Sequence, residues 1–167
     1  CGYSRMTVSG GAGSEIAWDW SEALYEDRAD EPFRHKGHRD EVAGKRFHGF
    51  GDRFRPGGRA RESFGSLWWR AGRYIRLRVS TADEPLRIED ARIEEVRYPL
   101  ECESAFRAAP GDLETIVPLA VRGMQMCSHE TFMDCPYYEQ LMYVGDTRLE
   151  ALTWYAMTAD PRLPMRA

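Results

Sequence analysis

Cys127-Ser-His-Glu-Thr-Phe-Met-Asp-Cys-Pro-Tyr-Tyr-Glu-Gln-Leu-Met-Tyr-Val-Gly-Asp146 lies between two segments of helical periodicity. Before it, Leu113, Ile116, Val117, Ala120, Val121 and Met124 recur at spacings of three and four, the pattern of an amphipathic helix. Pro110-Gly111-Asp112 is expected to supply the turn and N-cap, and Pro118 to kink the helix. After it, Asp146 is expected to cap a second helix carrying Leu149, Leu152, Thr153 and Ala156 on one side, with Gly145 ending what precedes. Residues 112–158 thus predict helix–loop–helix. The loop is longer than routine helix connections, and Pro136 prevents simple continuation of the first helix.

The chain upstream of about Pro99 has a different rhythm. Short apolar and aromatic runs are broken by Gly, Pro and charge. The clearest strand begins at Tyr74 in Leu67-Trp68-Trp69-Arg70-Ala71-Gly72-Arg73-Tyr74-Ile75-Arg76-Leu77-Arg78-Val79, where apolar residues alternate with Arg. Thr81–Pro85 predicts a turn and Leu86–Val96 a further strand, with Ile88 and Ile93 as core candidates. Asp30–Gly65 predicts long loops between short strands. An antiparallel β-sandwich portion followed by a helical hairpin is the expected architecture, with the division at 107/108. Trp68 and Trp69, flanking a strand at a module boundary, are expected in the core and at that boundary.

Bulk properties narrow the function classes. With 43% hydrophobic residues, five Trp, eight Tyr and seven Phe, the chain can bury a core. A net charge of −4, from 23 basic and 27 acidic residues, gives no general attraction to nucleic acid or anionic membrane. No apolar run approaches the ~20 residues of a membrane span. Lys36 and Lys45 are the only lysines; residues 26–80 lean basic and 81–150 acidic. The cysteines Cys1, Cys102, Cys127 and Cys135 form no CxxC pair or dense framework, so neither a zinc ribbon nor a disulfide scaffold is indicated. Cys127 and Cys135 are expected as buried thiols and His129 as a helix-end cap or packing residue; no metal or cofactor is called for. The chain begins at Cys1 and ends beyond the second helix without an evident folded destination for Leu163–Ala167, so an internal fragment is expected.

The loop carries the chemistry. Glu130, Asp134, Glu139 and Asp146 are interleaved with Phe132, Tyr137, Tyr138 and Tyr143. Aromatic faces stack on pyranose C–H faces, carboxylates accept sugar hydroxyls, and apolar walls raise a carboxyl pKa toward neutrality so that it can act as an acid. Composition alone leaves equally open that these are loop caps and hydrophobic anchors.

Ser128–Gln140, followed by Tyr143-Val144-Gly145-Asp146-Thr147-Arg148, closely resembles the signature of bacterial α-L-rhamnosidases, glycoside hydrolase family 78. Lys36-Gly37-His38-Arg39, Leu67-Trp68-Trp69-Arg70 with Arg73-Tyr74, and Glu84-Pro85-Leu86-Arg87-Ile88 are similar to upstream blocks of that family, so the resemblance covers most of residues 36–160. Asp-Cys-Pro followed by Glu and Asp at offsets five and twelve is a specific combination.

The resemblance implies a β-sandwich portion leading into the first helical hairpin of an (α/α)6 barrel. It implies inverting release of terminal α-L-rhamnose from an oligosaccharide, polysaccharide or glycoside, with Glu139 as general acid. Asp134 and Asp146 would hold rhamnose hydroxyls, and Tyr138 and Tyr143 would line the pocket. Many members carry a basic residue where this chain has Tyr138. The base would be a Glu beyond Ala167, so the chain would carry the acid without the base and be inactive alone. Two other readings suit the same residues: a non-catalytic carbohydrate-binding protein of this fold, and a six-hairpin glycosidase acting on another sugar.

Overall fold

Every second residue from Gly2 to Val8 is buried, as expected of a strand with one face inward. The computed structural model describes residues 1–167 except Glu31, Pro32, Ala108, Pro110 and Asp112. Its described residues form two compact units, Cys1–Glu95 and Val96–Ala167. Pro110 and Asp112 of the expected turn and N-cap, and Ala108 at the expected boundary, lie outside the described residues.

The first unit is all β. Strand β1 (Gly2–Gly10) lies between β6 (Glu62–Gly65) and β8 (Leu86–Glu95), while β2 (Glu15–Ser21) lies between β5 (Phe50–Phe54) and β7 (Tyr74–Ser80). The short strands β3 (Leu24–Glu26) and β4 (Lys45–Phe47) pair separately, and every pairing is antiparallel. Met6 and Val8 from β1 meet Ile16, Trp18 and Trp20 from β2 in one core, with Phe54, Phe64 and Leu86 against it. Two sheets sharing an inner face is sandwich packing. Each such side chain withdrawn from water contributes about 1.5–3 kcal/mol. Buried Ser4 is satisfied by the Trp20 indole, whose Nε1 donates to Ser4 Oγ at 3.2 Å. A bulge leaves Glu89 of β8 unpaired, between Thr7↔Asp90 and Val8↔Ile88.

Strand β2 is buried on both faces. Ile16, Trp18 and Trp20 point to the core, while Ala17, Asp19 and Ser21 are covered on the opposite face. Opposite Asp19 stands Gly51, where a Cβ would lie 1.8 Å from the Trp18 carbonyl oxygen. Only glycine allows that approach.

Strands β7 and β8 fall where alternation places them, but their apolar residues are not deeply buried. Ile88 and Ile93, expected in the core, are 39% and 43% exposed. Strand β8 is an outer strand of its sheet, and the deep core is filled by the central strands β1 and β2. Trp69 is buried, whereas Trp68, stacked on it at 5.8 Å, is half exposed.

The second unit is helical. Helix α1 (Leu113–Cys127) runs through Pro118 with no helix break, and no residue of it is fully buried. Helix α2 (Val144–Met157) begins two residues before the expected cap. Tyr143, in extended conformation, is the N-cap; Gly145 and Asp146 lie in the first turn, where Asp146 complements the positive end of the helix dipole. The buried face of α2 is Trp154 and Met157; Leu149 and Leu152 are exposed. Trp154, Met157, Leu100, Phe132 and Leu163 make the core of this unit, with Tyr98, Val121, Met124 and Ala151 around it. Leu163 therefore does have a folded destination, followed by a 3₁₀ turn at Pro164–Arg166. The Trp154 indole donates to the Asp160 carbonyl at 2.6 Å, and Tyr98 and Phe132 meet its ring edge-to-face at 5.3 and 5.5 Å.

Candidate functional site

The loop between α1 and α2 is held by its own backbone. Ser128 Oγ donates to the Met124 carbonyl at 2.7 Å, and Met133 N–H donates to the Cys127 carbonyl at 2.9 Å, which reverses the chain directly after α1. Phe132 and Met133 are buried, so they anchor the residue that follows, Asp134. His129 is also buried, its Nε2 3.0 Å from the Met126 carbonyl. Burial pushes its pKa down, against the opposing pull of that hydrogen bond, which suits a packing residue at the helix end.

Asp134 and Leu141 clasp a second reversal. Asp134 N–H donates to the Leu141 carbonyl at 3.0 Å, and Leu141 N–H returns to Asp134 Oδ1 at 3.4 Å. Inside that clasp, Gln140 N–H donates to the Cys135 carbonyl at 3.0 Å and its side-chain amide to the Pro136 carbonyl at 2.9 Å. Gln140 adopts φ of 56°, the left-handed region that costs a non-glycine residue energy and gathers at functional sites. The residue held just before it is Glu139, whose N–H points at Cys135 Sγ at 3.4 Å.

This geometry gathers Asp134, Cys135 and Glu139: one ligand-type atom from each lies within 4.8 Å of the others. Desolvation opposes ionisation of Asp134, but hydrogen bonds from the Cys135 backbone and thiol, the Leu141 N–H and the Glu139 carboxyl outweigh it and lower its pKa. Tyr143 hydrogen-bonds Glu139, and that bond, with burial and the surrounding carboxylates, raises the phenol. These mutual hydrogen bonds account for the closeness of the three groups without an ion. Cys127 is pushed up to about 11 by burial and then by Glu150, Cys135 and Asp134, so it is an inert thiol rather than a thiolate ligand. Cys102, Cys127 and Cys135 are free thiols.

The structure therefore brings Asp134, Glu139 and Tyr143 together. Glu139 is exposed, as is Asp146 in the first turn of α2. Tyr138 stands with 60% of its surface in solvent, edge-on to buried Tyr137 at 4.6 Å. Glu130, exposed, pairs with Arg166 at 3.1 Å and takes no part in the cluster.

One member of the group escaped the sequence reading. Glu150 lies one helical turn after Asp146, and its Oε2 is buried with no hydrogen-bond partner among the described residues. Burial, then repulsion from Asp146 and Asp134, pushes its pKa up to about 7. Among the described residues, the carboxyl raised toward neutrality by burial and neighbouring carboxylates is thus that of Glu150. A spacing of four from Asp146 was the available signal.

Among solved structures, the chain is similar to a glycoside hydrolase family 78 rhamnosidase from Bacillus sp. GL1, with a TM-score of 0.66 and 23% identity. The likeness fixes the fold. It covers 97% of this chain and 16% of that one, so the chain spans about one sixth of the length of the structure it matches. No family model and no curated protein match the sequence. No described helix is long and apolar enough to cross a membrane.

Proposed function

We propose that this chain is the acid-bearing part of an inverting glycosidase that releases terminal α-L-rhamnose, its two units being a β-sandwich portion and the first hairpin of an (α/α)6 barrel. The observation that carries this is the Asp134–Glu139–Tyr143 cluster: a carboxyl presented to solvent by a strained turn, with a phenol and a second carboxyl hydrogen-bonded to it. The fold shared with a family 78 rhamnosidase supports a glycoside hydrolase, and the resemblance of Ser128–Arg148 to that family's signature is what suggests rhamnose as the sugar.

In this mechanism Glu139, protonated, donates to the leaving glycosidic oxygen while Asp134 and Asp146 accept rhamnose hydroxyls. Asp134 suits the accepting role because its hydrogen bonds hold it as the anion. Tyr143 orients the Glu139 carboxyl, and Tyr138 offers a ring face to the sugar. Inversion needs a second carboxylate about 6.5–9.5 Å from the acid to activate water on the opposite face of the ring. That base is assigned outside these 167 residues, and no cofactor takes part.

The test is hydrolysis of an aryl α-L-rhamnoside, with the product anomer followed by NMR, by a polypeptide carrying this chain together with the remaining barrel. Release of β-L-rhamnose is expected from that polypeptide and no turnover from the 167 residues alone. Rhamnose binding without hydrolysis by the longer polypeptide would make this a carbohydrate-binding protein, and cleavage of a different aryl glycoside would reassign the sugar.

A further inference from the structure

The outer face of the β5-β2-β7 sheet carries a constellation that the proposed chemistry does not use. Asp19, at the centre of β2, is 1% exposed, and three guanidinium groups converge on its carboxylate. Arg53 Nη1 lies 2.7 Å from Oδ1, while Arg78 Nη2 and Arg76 Nη2 lie 3.2 and 3.5 Å from Oδ2. The sheet register brings them there: β7 places Arg76 opposite Asp19 and Arg78 opposite Ala17, and β5 places Arg53 opposite Ala17 from the other side. Arg76 is further fixed by the Phe47 ring, 4.2 Å below its guanidinium carbon.

The stoichiometry is lopsided. Each guanidinium offers five N–H donors, whereas a carboxylate offers two oxygens with about four lone-pair sites. Arg53 spends a further donor on the Asp52 carbonyl at 3.1 Å, and Arg76 Nε is buried without an acceptor among the described residues. The cluster of three cations and one anion retains two uncompensated positive charges. The side chains of Arg53, Arg76 and Arg78 are 42%, 38% and 55% exposed, so the surplus donors face solvent while the Asp19 side chain is covered beneath them. One carboxylate serving merely as structural neutralisation needs one Arg. Here Asp19 acts as a template that holds three forks in place, and fixed forks recognise a planar oxyanion with little ordering cost.

We propose that this face is a binding site for the carboxylate of a uronic-acid residue in an acidic saccharide. That the site takes a carboxylate follows from the guanidinium cluster; that the carboxylate is carried on a sugar rests on the proposed function above. Arg78 supplies the most accessible fork, Arg53 the second, and Arg76 the fixed positive floor.

The experiment is calorimetric or NMR titration of the 167-residue chain with a short oligogalacturonate, a neutral galactose oligomer of equal length, and inorganic sulfate or acetate, at low and high salt. Binding of the oligogalacturonate alone is expected, weakened by salt. Arg78→Gln and Arg53→Gln should each weaken it at least about tenfold, as the loss of a charged hydrogen bond does. Circular dichroism checks the fold of each variant, and either one suffices. Three results overturn the proposal: no binding of the oligogalacturonate, binding indifferent to both substitutions, or sulfate or acetate binding as tightly as the oligogalacturonate. Because no turnover is measured, failure here leaves the Glu139 chemistry standing, and failure of that chemistry leaves this binding measurable.

Discussion

The two units treat their acidic side chains in opposite ways. In the β unit, Asp19 is almost completely buried and stays ionised: burial opposes the charge, but the hydrogen bonds and charges of Arg53 and Arg78 outweigh it and lower the pKa. In the helical unit, no Lys or Arg occurs between Cys127 and Asp146, and Asp134, Glu139, Asp146 and Glu150 are left to influence one another. Compensation turns a carboxylate into a fixed scaffold. Without compensation, neighbouring carboxylates compete for protons, and a group that changes protonation near neutrality is what acid catalysis requires. The same residue types therefore serve rigidity in one unit and, in the proposed mechanism, proton transfer in the other.

The contrast breaks most visibly at Glu139. In the polypeptide with a complete barrel, Glu139→Gln is expected to lower rhamnoside turnover by about 10²–10⁴-fold, the usual worth of a general acid, with rhamnose affinity largely kept. Arg53→Gln, in the compensated unit, should leave turnover of a neutral aryl rhamnoside unchanged. Steady-state kinetics on both variants checks this, and near-normal turnover in Glu139→Gln removes the acid from its assigned role.

A smaller effect, read as stability, is expected from Asp19→Ala. It leaves three converging guanidiniums without their anion, at a cost of about 3 kcal/mol, less than for a wholly buried pair because the arginines can turn toward water. Urea unfolding followed by Trp fluorescence measures it. A loss below about 0.5 kcal/mol, the range of ordinary surface substitutions, would mean that the cluster is ornament on the sheet.

Much of this arrangement was legible from local patterns. Alternation from Tyr74 located β7, the run from Leu86 located β8, and the three–four spacing from Leu113 located α1. The loop residues Asp134 and Glu139 stood out by motif, and the structure joins them through a turn whose left-handed Gln140 no composition signals. What stayed hidden depends on distant partners. Helix α2 carries apolar groups on more than one side: the spacing points to Leu149, Leu152, Thr153 and Ala156, whereas Leu100, Phe132 and Leu163 bury Trp154 and Met157 instead. The Asp19 cluster draws on residues 34–59 positions away, brought together only by strand register. The spacing of four puts Glu150 beside Asp146, but its burial, and so its raised pKa, exists only in three dimensions.

Glu150 offers the subtlest way to sharpen the comparison, because its effect has the opposite sign to that of Asp19. Its folded-state pKa is about 7 against an ordinary 4.5, so the folded protein holds a proton that the unfolded chain releases. The contribution to stability is complete below about pH 4.5, falls as pH rises through the interval to about 7, and is exhausted above it. Asp19, with its pKa lowered, contributes above its ordinary 3.8 and loses that contribution as pH falls through its folded value. Solvent screening at a half-buried position reduces the Glu150 effect to about 1–2 kcal/mol over the whole interval. Replacing it by Gln retains shape and removes the titration, so urea midpoints at pH 5, 6 and 8 should decline less steeply in Glu150→Gln than in the wild type, with the variant the more stable at pH 8. Parallel curves would mean that Glu150 finds a cation in solution, and the helical unit would then manage its carboxylates as the β unit does.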